Sequence, residues 1–356
     1  MPHLLVIVYL PAYYYYVLST WNFNMSPAAN TSVVRVAVTQ HEPVWLDLEG
    51  TVNKTCSIIE EASKAGAKLV AFPETWIPGY PAWFWDRPVD FELGIRYVQN
   101  SLKIESPEMK LICDAAASNT ISVSLGFSER DGDSVYISQA LINEDGEIKM
   151  RRRKMKPTHM ERTIYGDGSG DSLANVIELP GVGRVGCLSC WEHNQPLLKY
   201  FTFSQHEQIH VAGWPPLDPF VEGSSGFWSM SAEGALNHSQ QYAIESQSFV
   251  LHATAVLTDA GIDVMRTKGS PIMGTPLGGC SAIIGPDGRV LKKANTGGEE
   301  LIIADIDLTD ATKAKLFADA SGHYSRPDLL WLGADTTRKT VVRIQKRAER
   351  QTETSE

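Results

Sequence analysis

The chain has 356 residues, of which 43% are hydrophobic and 21% are charged, and its formal net charge is −10. This composition is typical of a globular protein with one large α/β domain or two halves, and it argues against extensive disorder. The negative net charge argues against a nucleic-acid-binding protein, which would carry a clustered basic surface.

We set residues 1–32 apart from the fold as a leader. Residues 4–18 are apolar and rich in tyrosine. They lack a basic start, contain Pro11 and are too short to span a bilayer, so an unstructured leader ahead of a second start at Met25 is favoured over a signal sequence or a membrane anchor. Five cysteines, an odd number in a long chain, do not resemble a disulfide framework, so we expect a cytoplasmic protein.

Strand-like and helix-like segments alternate from residue 33 onward, beginning with a strand at residues 33–38 and a helix at residues 52–65. Residues 68–72, which are apolar after Lys68, predict a second strand, and Glu74 lies just beyond its end. Open α/β sheets place their binding sites at the carboxyl ends of strands. A carboxylate in apolar surroundings is costly unless it is paired or used, so Glu74 is a candidate functional residue.

The rest of the pattern predicts two sheets in a single domain over residues 33–333. Turns at residues 144–146 and 286–288 create similar strand–turn–strand units in both halves, which indicates an internal duplication. The further predicted elements are a helix at 109–117 and strands at 121–127, 135–142, 148–150, 185–189, 208–212, 249–256, 280–284 and 301–306. The polar, basic tail at residues 334–356 is expected to be solvated or to contact a partner.

A basic run at residues 151–156 follows directly on the strand predicted at residues 148–150. Its ordinary interpretation is a solvated edge strand. Strand alternation would place Lys154 and Lys156 on one face, so composition does not choose between these two lysines as a functional cation.

Cys190 stands where the strand predicted at residues 185–189 turns into a helix predicted at residues 191–204. Helix N–H groups at such a turn are expected to lower the pKa of the thiol, which favours a nucleophile. The alternatives are a buried structural cysteine and a redox or metal pair with Cys187. No second cysteine pair supplies zinc ligands, and residues three apart on a strand point to opposite faces, so the nucleophile is favoured.

A carboxylate, an ammonium and a thiol are the groups needed for nucleophilic attack on a carbon bonded to nitrogen. Phe-Pro-Glu at residues 72–74, Arg-Lys-Met-Lys-Pro-Thr-His at residues 153–159 and Cys-Trp-Glu-His at residues 190–193 stand in this order. In these motifs the chain resembles the nitrilase (carbon–nitrogen hydrolase) superfamily over residues 33–328. The sequence at residues 75–81, Thr-Trp-Ile-Pro-Gly-Tyr-Pro, is similar to that of true nitrilases, of which fungal-type arylacetonitrilases are the most similar.

This resemblance implies an α/β fold of the nitrilase type, a four-layer α-β-β-α sandwich. It implies Glu74 as general base, Lys154 as stabilising cation and Cys190 as nucleophile. Glu161 matches the second glutamate of the family, which orients the lysine and the substrate, although an ion pair with Arg162 or with the basic run at residues 151–156 is a structural alternative. The implied reaction converts an organic nitrile to its acid and ammonia through a thioimidate and a thioester, with some amide by-product and without a metal or an organic cofactor.

An aromatic segment follows Glu74 directly. Either it packs in the core or at a subunit interface, or it forms an apolar wall that favours an aromatic or arylaliphatic nitrile. Tyr80, Trp191 and His193 are the candidate substrate-binding residues, and His193 is favoured as a hydrogen-bonded support over a base. The aromatic residues of this segment are Trp76, Tyr80, Trp83, Phe84 and Trp85.

Two other kinds of function stay open at this point. One is a cyanide hydratase, a cyanide dihydratase or an amidase of the same superfamily, and the other is a non-catalytic assembly protein that keeps the fold. The resemblance further implies a homodimer that builds larger homo-oligomers or spirals. We expect a small-molecule nitrile as partner, and neither nucleic acid nor a membrane.

Overall fold

The computed structural model describes residues 32–224 and 226–342. Nearly all of the predicted leader at residues 1–32 lies outside the described residues, as do positions 343–356 of the predicted tail. Within the described part of the chain, no helix is long and apolar enough to cross a membrane.

The strands of the described chain form two six-stranded sheets. In chain order they are β1 (Val33–Gln40), β2 (Leu69–Ala71), β3 (Ser122–Asp131), β4 (Ser134–Ile142), β5 (Ile148–Arg153), β6 (Val176–Leu179), β7 (Gly183–Ser189), β8 (Ile209–Gly213), β9 (Phe249–Ala253), β10 (Ala282–Ile284), β11 (Val290–Lys293) and β12 (Glu300–Asp307). The first sheet has the order β12-β1-β2-β3-β4-β5, and the second has the order β11-β10-β9-β8-β7-β6. In each sheet three adjacent parallel strands, β1 to β3 or β7 to β9, continue into an antiparallel pair.

Seven α-helices of the described chain connect these strands, and four of them begin at a side-chain cap. They are α1 (Leu48–Lys64), α2 (Phe91–Asn100), α3 (Pro107–Asn119), α4 (Pro196–Phe203), α5 (Ala232–Ser246), α6 (Asp259–Met265) and α7 (Thr309–Ala318). The side chain of Asp47 accepts a hydrogen bond from the Gly50 N–H at the start of α1, and Ser106 accepts one from the Met109 N–H at the start of α3. Such caps satisfy amides that have no partner within the helix.

Alternation along the strands sorts their side chains into layers. Val36 and Val185 lie in a core shared by the two sheets, whereas Ala37 lies in a separate core between the first sheet and helices α1 and α3. On the far side of the second sheet, Leu188 packs in a further core with residues of α4 and α5, such as Ala243. The order helix, sheet, sheet, helix confirms the predicted four-layer α-β-β-α sandwich.

Several predicted boundaries were wrong in detail. The strand predicted at residues 148–150 continues to Arg153, and the helix predicted at residues 191–204 divides into a 3-10 turn, Cys190–Asn194, and the helix α4. Helix α5 was not predicted, because its buried face consists mainly of glycine, alanine and serine, which give little apolar periodicity.

Candidate active site

Glu74 follows β2 and lies in a segment, residues 73–75, whose backbone is closely packed against strand β3. Its side chain is 2% exposed, and the next residue, Thr75, has a φ of 47°. Strand β3 approaches this segment so closely that a Cβ on Gly126 would lie 2.0 Å from the Pro73 carbonyl oxygen. Glycine at position 126 is therefore required for the backbone that carries Glu74 to reach its place.

Lys154 and Lys156 have different environments. Strand β5 ends at Arg153, and the Lys154 N–H still donates to the Ile137 carbonyl at 2.7 Å, with the Lys154 side chain 1% exposed. The Lys156 side chain is 54% exposed and pairs with Asp167 at 2.8 Å. The expected strand alternation does not reach Lys156, because the strand has already ended, and only Lys154 enters the site.

Cys190 lies at the sharp turn between β7 and the 3-10 turn Cys190–Asn194. It has a φ of 47° and is 4% exposed. A left-handed conformation is rare for a residue with a side chain, and such strain is concentrated at functional sites. Cys187 packs in the core between the sheets, whereas Cys190 packs in the core on the other side of its sheet, and both thiols are free. The redox-pair alternative is therefore not supported.

The four candidate catalytic side chains meet at one point. The Lys154 Nζ lies 2.9 Å from the Glu74 Oε1 and 2.8 Å from the Glu161 Oε2. A carboxylate oxygen of Glu74, one of Glu161 and the Cys190 Sγ all lie within 4.8 Å of one another. One ammonium thus stands between two carboxylates, with the thiol beside them.

The two carboxylates differ in how their oxygens are satisfied. The Glu161 Oε2 also accepts from the Thr158 N–H at 2.6 Å, and its Oε1 accepts from the Tyr80 hydroxyl at 3.3 Å. The buried Glu74 Oε2 has no hydrogen-bond partner. Arg162 donates to the His159 carbonyl, so the ion pair of Glu161 is with Lys154 and not with Arg162. Glu74 is consequently the carboxylate with an oxygen available to take a proton.

Burial has the largest single effect on the pKa values of the side chains in the site. It raises the pKa of Glu74 to about 8, although Lys154 partly offsets this effect. Burial acts to lower the pKa of Lys154, but the carboxylates of Glu161 and Glu74 outweigh it and raise that pKa. Burial, followed by the negative charge of Glu74, raises the pKa of Cys190 well above its ordinary value. The prediction that helix amides lower the pKa of the Cys190 thiol below its ordinary value was therefore wrong. The resting thiol needs a base to remove its proton.

Oxygen and sulfur atoms of Glu74, Glu161 and Cys190 are close enough together to bind a metal ion. The Lys154 ammonium, however, is hydrogen-bonded to both carboxylates and supplies the positive charge that such an ion would bring. A divalent cation beside it would be repelled. This arrangement supports the prediction that the chemistry needs no metal, which stays a prediction.

A buried ion pair connects the lysine segment to the cysteine turn. Arg152 donates to both oxygens of Glu192 at 2.7 Å, and both side chains are fully buried. Glu192 also accepts from the Met155 N–H at 2.8 Å and from the Ser189 N–H at 2.9 Å. The backbones next to Lys154 and Cys190 are thus joined through one carboxylate. The sequence does not mark Arg152 as a buried residue, because a basic run on an edge strand is ordinarily solvated.

The structure places the three candidate substrate-binding residues differently. Tyr80 is 4% exposed, and its hydroxyl reaches Glu161, so it borders the reacting groups. Trp191 is half-buried and lies against His238, with ring centroids 5.5 Å apart. His193 is fully buried, and its two ring nitrogens contact the Cys190 carbonyl at 2.7 Å and His210 at 3.0 Å. This geometry favours the support role for His193.

The aromatic segment after Glu74 is mainly part of the core. Trp76, Trp83 and Phe84 are at most 1% exposed and pack in apolar clusters. Trp85 is partly exposed and stacks on His159, with ring centroids 5.4 Å apart. The packing interpretation therefore holds for most of this segment. Tyr80 contacts Glu161 of the site, and Trp85 lies against His159.

Solved structures share the fold. A carbon–nitrogen hydrolase from Helicobacter pylori superposes with a TM-score of 0.63, at 19% sequence identity, and the match covers 81% of this chain and 94% of that one. At this identity the likeness supports the four-layer architecture alone.

The sequence relatives are much more similar. The profile of the carbon–nitrogen hydrolase family matches residues 35–316. An arylacetonitrilase of Aspergillus kawachii is 60% identical over 314 residues, which cover 88% of this chain and 95% of that protein. An arylacetonitrilase of Hypocrea virens is 57% identical over 315 residues, with the same coverage of 88% and 95%. The chain belongs to the carbon–nitrogen hydrolase family.

Proposed function

We propose that the chain is an arylacetonitrilase, which hydrolyses a nitrile carrying an aryl group to the carboxylic acid and ammonia. The observation that carries this proposal is the Lys154 ammonium held between Glu74 and Glu161 beside the Cys190 thiol. The identity of 60% to a protein named arylacetonitrilase supports the nitrile as substrate over cyanide or an amide. We propose the cytoplasm as its location.

The first half of the reaction forms a covalent intermediate. Glu74 takes the Cys190 proton at its bare oxygen, Oε2, and the sulfur attacks the nitrile carbon. One π bond of the nitrile breaks, and the nitrogen receives the electron pair and then the proton from Glu74, which gives a thioimidate. Lys154 stabilises the negative charge that develops on the nitrogen.

Hydrolysis completes the reaction with two water molecules. Glu74 removes a proton from the first water as it adds to the thioimidate carbon, and it passes this proton to the nitrogen. The hydroxyl proton of the tetrahedral intermediate is then transferred to the nitrogen through Glu74, and the carbon–nitrogen bond breaks to release ammonia and leave a thioester. A second water, again activated by Glu74, attacks the thioester and releases the acid and the Cys190 thiol. Glu161 holds Lys154 in position throughout, because both of its oxygens are already bonded.

The tetrahedral intermediate has two leaving groups. If ammonia leaves, the product is the acid, and if the thiol leaves first, the product is the amide. Which group leaves depends on where the proton and the positive charge sit among Lys154, Glu74 and Glu161. We therefore expect a measurable fraction of amide.

The proposal is tested by ammonia release from a panel of phenylacetonitrile, benzonitrile, cyanide and phenylacetamide. We expect phenylacetonitrile to be the best substrate and Cys190→Ala to abolish turnover. Full activity of Cys190→Ala would disprove the mechanism. Faster turnover of cyanide or of the amide would instead assign the chain to one of the other activities in its family. A non-catalytic assembly protein would turn over no member of the panel.

We also propose a homodimer that builds larger assemblies. In the single chain, large apolar side chains near the C-terminus are strongly exposed, including Phe317 at 90% and Trp331 at 81%. The following segment folds back on the same chain, because the Lys339 N–H donates to the Ser169 hydroxyl at 2.6 Å. Light scattering after size exclusion on the full chain and on a version ending at Gly333 tests this. We expect large assemblies to be lost and dimers to remain, and a fully active monomer would contradict the proposal.

A further inference from the structure

Behind the nucleophile lies a buried chain of polar side chains that the reaction steps above do not use. The His193 Nδ1 lies 2.7 Å from the Cys190 carbonyl oxygen, and the His193 Nε2 lies 3.0 Å from the His210 Nε2. The His210 Nδ1 lies 2.9 Å from the Glu207 Oε2, and the Tyr242 hydroxyl donates to the Glu207 Oε1. All four side chains are fully buried.

The types of atom involved determine the direction of the hydrogen bonds that His193 makes with the Cys190 carbonyl and with His210. A carbonyl oxygen only accepts, so the proton of His193 is on Nδ1. Burial lowers the pKa of His193, so its ring is neutral and its Nε2 accepts the Nε2–H of His210. The donors of His210 and His193 thus both point toward the Cys190 carbonyl.

Stacked rings prevent these groups from rotating. Trp214 stacks on His193, with centroids 5.3 Å apart and planes inclined by 23°. Tyr242 stacks on His210, with centroids 3.8 Å apart and planes inclined by 28°. The Trp214 indole N–H is in turn anchored by the Ser239 hydroxyl at 3.2 Å. The hydrogen bond at the Cys190 carbonyl is therefore held in one geometry.

The accepting carbonyl belongs to the same peptide group as the Trp191 N–H, which adjoins Cys190 and acts to lower the pKa of its thiol against the larger effect of burial. A hydrogen bond received by a peptide oxygen polarises the group and strengthens its N–H as a donor. Such a donor stabilises negative charge on the sulfur and on an intermediate bonded to it. The left-handed φ of Cys190 also needs the constraint that His193 provides.

We infer that Glu207, His210 and His193 are positioning residues that orient and polarise the Cys190–Trp191 peptide group, and so set both the rate of attack and the partition between acid and amide. The inference rests on the proposed nitrile hydrolysis for its kinetic readouts. His193 acts here through the backbone of the nucleophile and does not touch the substrate.

The test compares His210→Leu, which removes the donor to His193, with His210→Gln, which retains an N–H. Removing an oxyanion donor outright costs about 10²–10³-fold in kcat, so weakening one should lower kcat by roughly tenfold. We expect His210→Leu to lower kcat to this extent with little change in KM and to change the acid-to-amide ratio. His210→Gln should restore most of both values.

The matched control is Asn175→Leu, which removes a fully buried polar side chain that donates to the Cys187 carbonyl and to the Thr202 hydroxyl, outside the chain of residues from Tyr242 to His193. It should lose a similar amount of thermal stability while keeping the wild-type product ratio. If His210→Leu does not fold, the kcat and the acid-to-amide ratio of Glu207→Gln and Tyr242→Phe are compared with those of the wild type instead. Unchanged kcat and product ratio in the folded variants would overturn the inference.

A second readout separates this inference from the proposed function. The rate at which iodoacetamide alkylates Cys190, followed by mass spectrometry of its peptide, needs no nitrile. We expect His210→Leu to slow this rate about tenfold, because the Trp191 N–H stabilises the thiolate less. If the wild type hydrolyses no nitrile, the proposed function fails, and an unchanged alkylation rate would separately refute the positioning role.

Discussion

Replacing Glu192 with glutamine should remove both stability and activity. Glu192 accepts four hydrogen bonds, two from Arg152 and one each from the Met155 and Ser189 N–H groups. In Glu192→Gln the amide nitrogen must face at least one of these donors, and the buried Arg152 loses its counterion. Breaking a buried ion pair by removing one partner costs about 3–5 kcal/mol. We expect a destabilisation of this size and a large loss of kcat, since the segments of Lys154 and Cys190 would separate.

Thermal unfolding followed by circular dichroism measures the first effect, and ammonia release from phenylacetonitrile measures the second. Lys156→Gln is the matched control, because it removes an exposed charge from the same basic run and should change stability by no more than about 0.5 kcal/mol. The double variant Arg152→Met with Glu192→Leu should recover part of the stability, since it leaves no unpaired buried charge. A Glu192→Gln protein as stable and as active as the wild type would refute the role given to this pair.

Three further predictions concern the reacting groups. Burial raises the pKa of Glu74 to about 8, so the fraction of Glu74 in its basic form increases as the pH rises toward that value. We therefore expect kcat/KM to rise between pH 6 and 8, and a flat profile would contradict Glu74 as the base. Lys154→Met should lower kcat by about 10²–10³-fold, whereas Lys156→Met should stay within about twofold of the wild type, and equal losses would remove the distinction between the two lysines. Glu161→Gln should change the acid-to-amide ratio measured by chromatography, and an unchanged ratio would count against proton sharing among Lys154, Glu74 and Glu161.

The strand and turn patterns predicted two sheets, and the family resemblance implied the four-layer sandwich. The ordered motifs identified Glu74, Lys154 and Cys190 as candidate catalytic residues, and the structure brings these side chains together. The choice between Lys154 and Lys156 needed the motif resemblance, because it depends on where β5 ends, and the apolar pattern does not mark that residue. The predicted direction of the Cys190 pKa shift was wrong for a related reason. The sequence shows the adjacent helix amides but not the depth to which the thiol is buried.

Partners far apart in the chain were the least predictable part of the site. Arg152 and Glu192 are each ordinary in sequence, and only the packing of β5 against the cysteine turn removes both from water. His210 lies on a buried strand, and its link to Cys190 through His193 depends on ring orientations that no spacing rule gives. Polar networks of this kind are fixed by the tertiary fold.

The outer strands of the two sheets restrict how copies of this chain can meet. Strand β5 ends the first sheet and carries Lys149 and Arg151, and strand β11 ends the second sheet and carries Lys292 and Lys293. An unpaired strand edge invites pairing with the same edge of another molecule, and like charges along it discourage that contact. Continuous sheets running from one copy into the next through these two edges are therefore disfavoured.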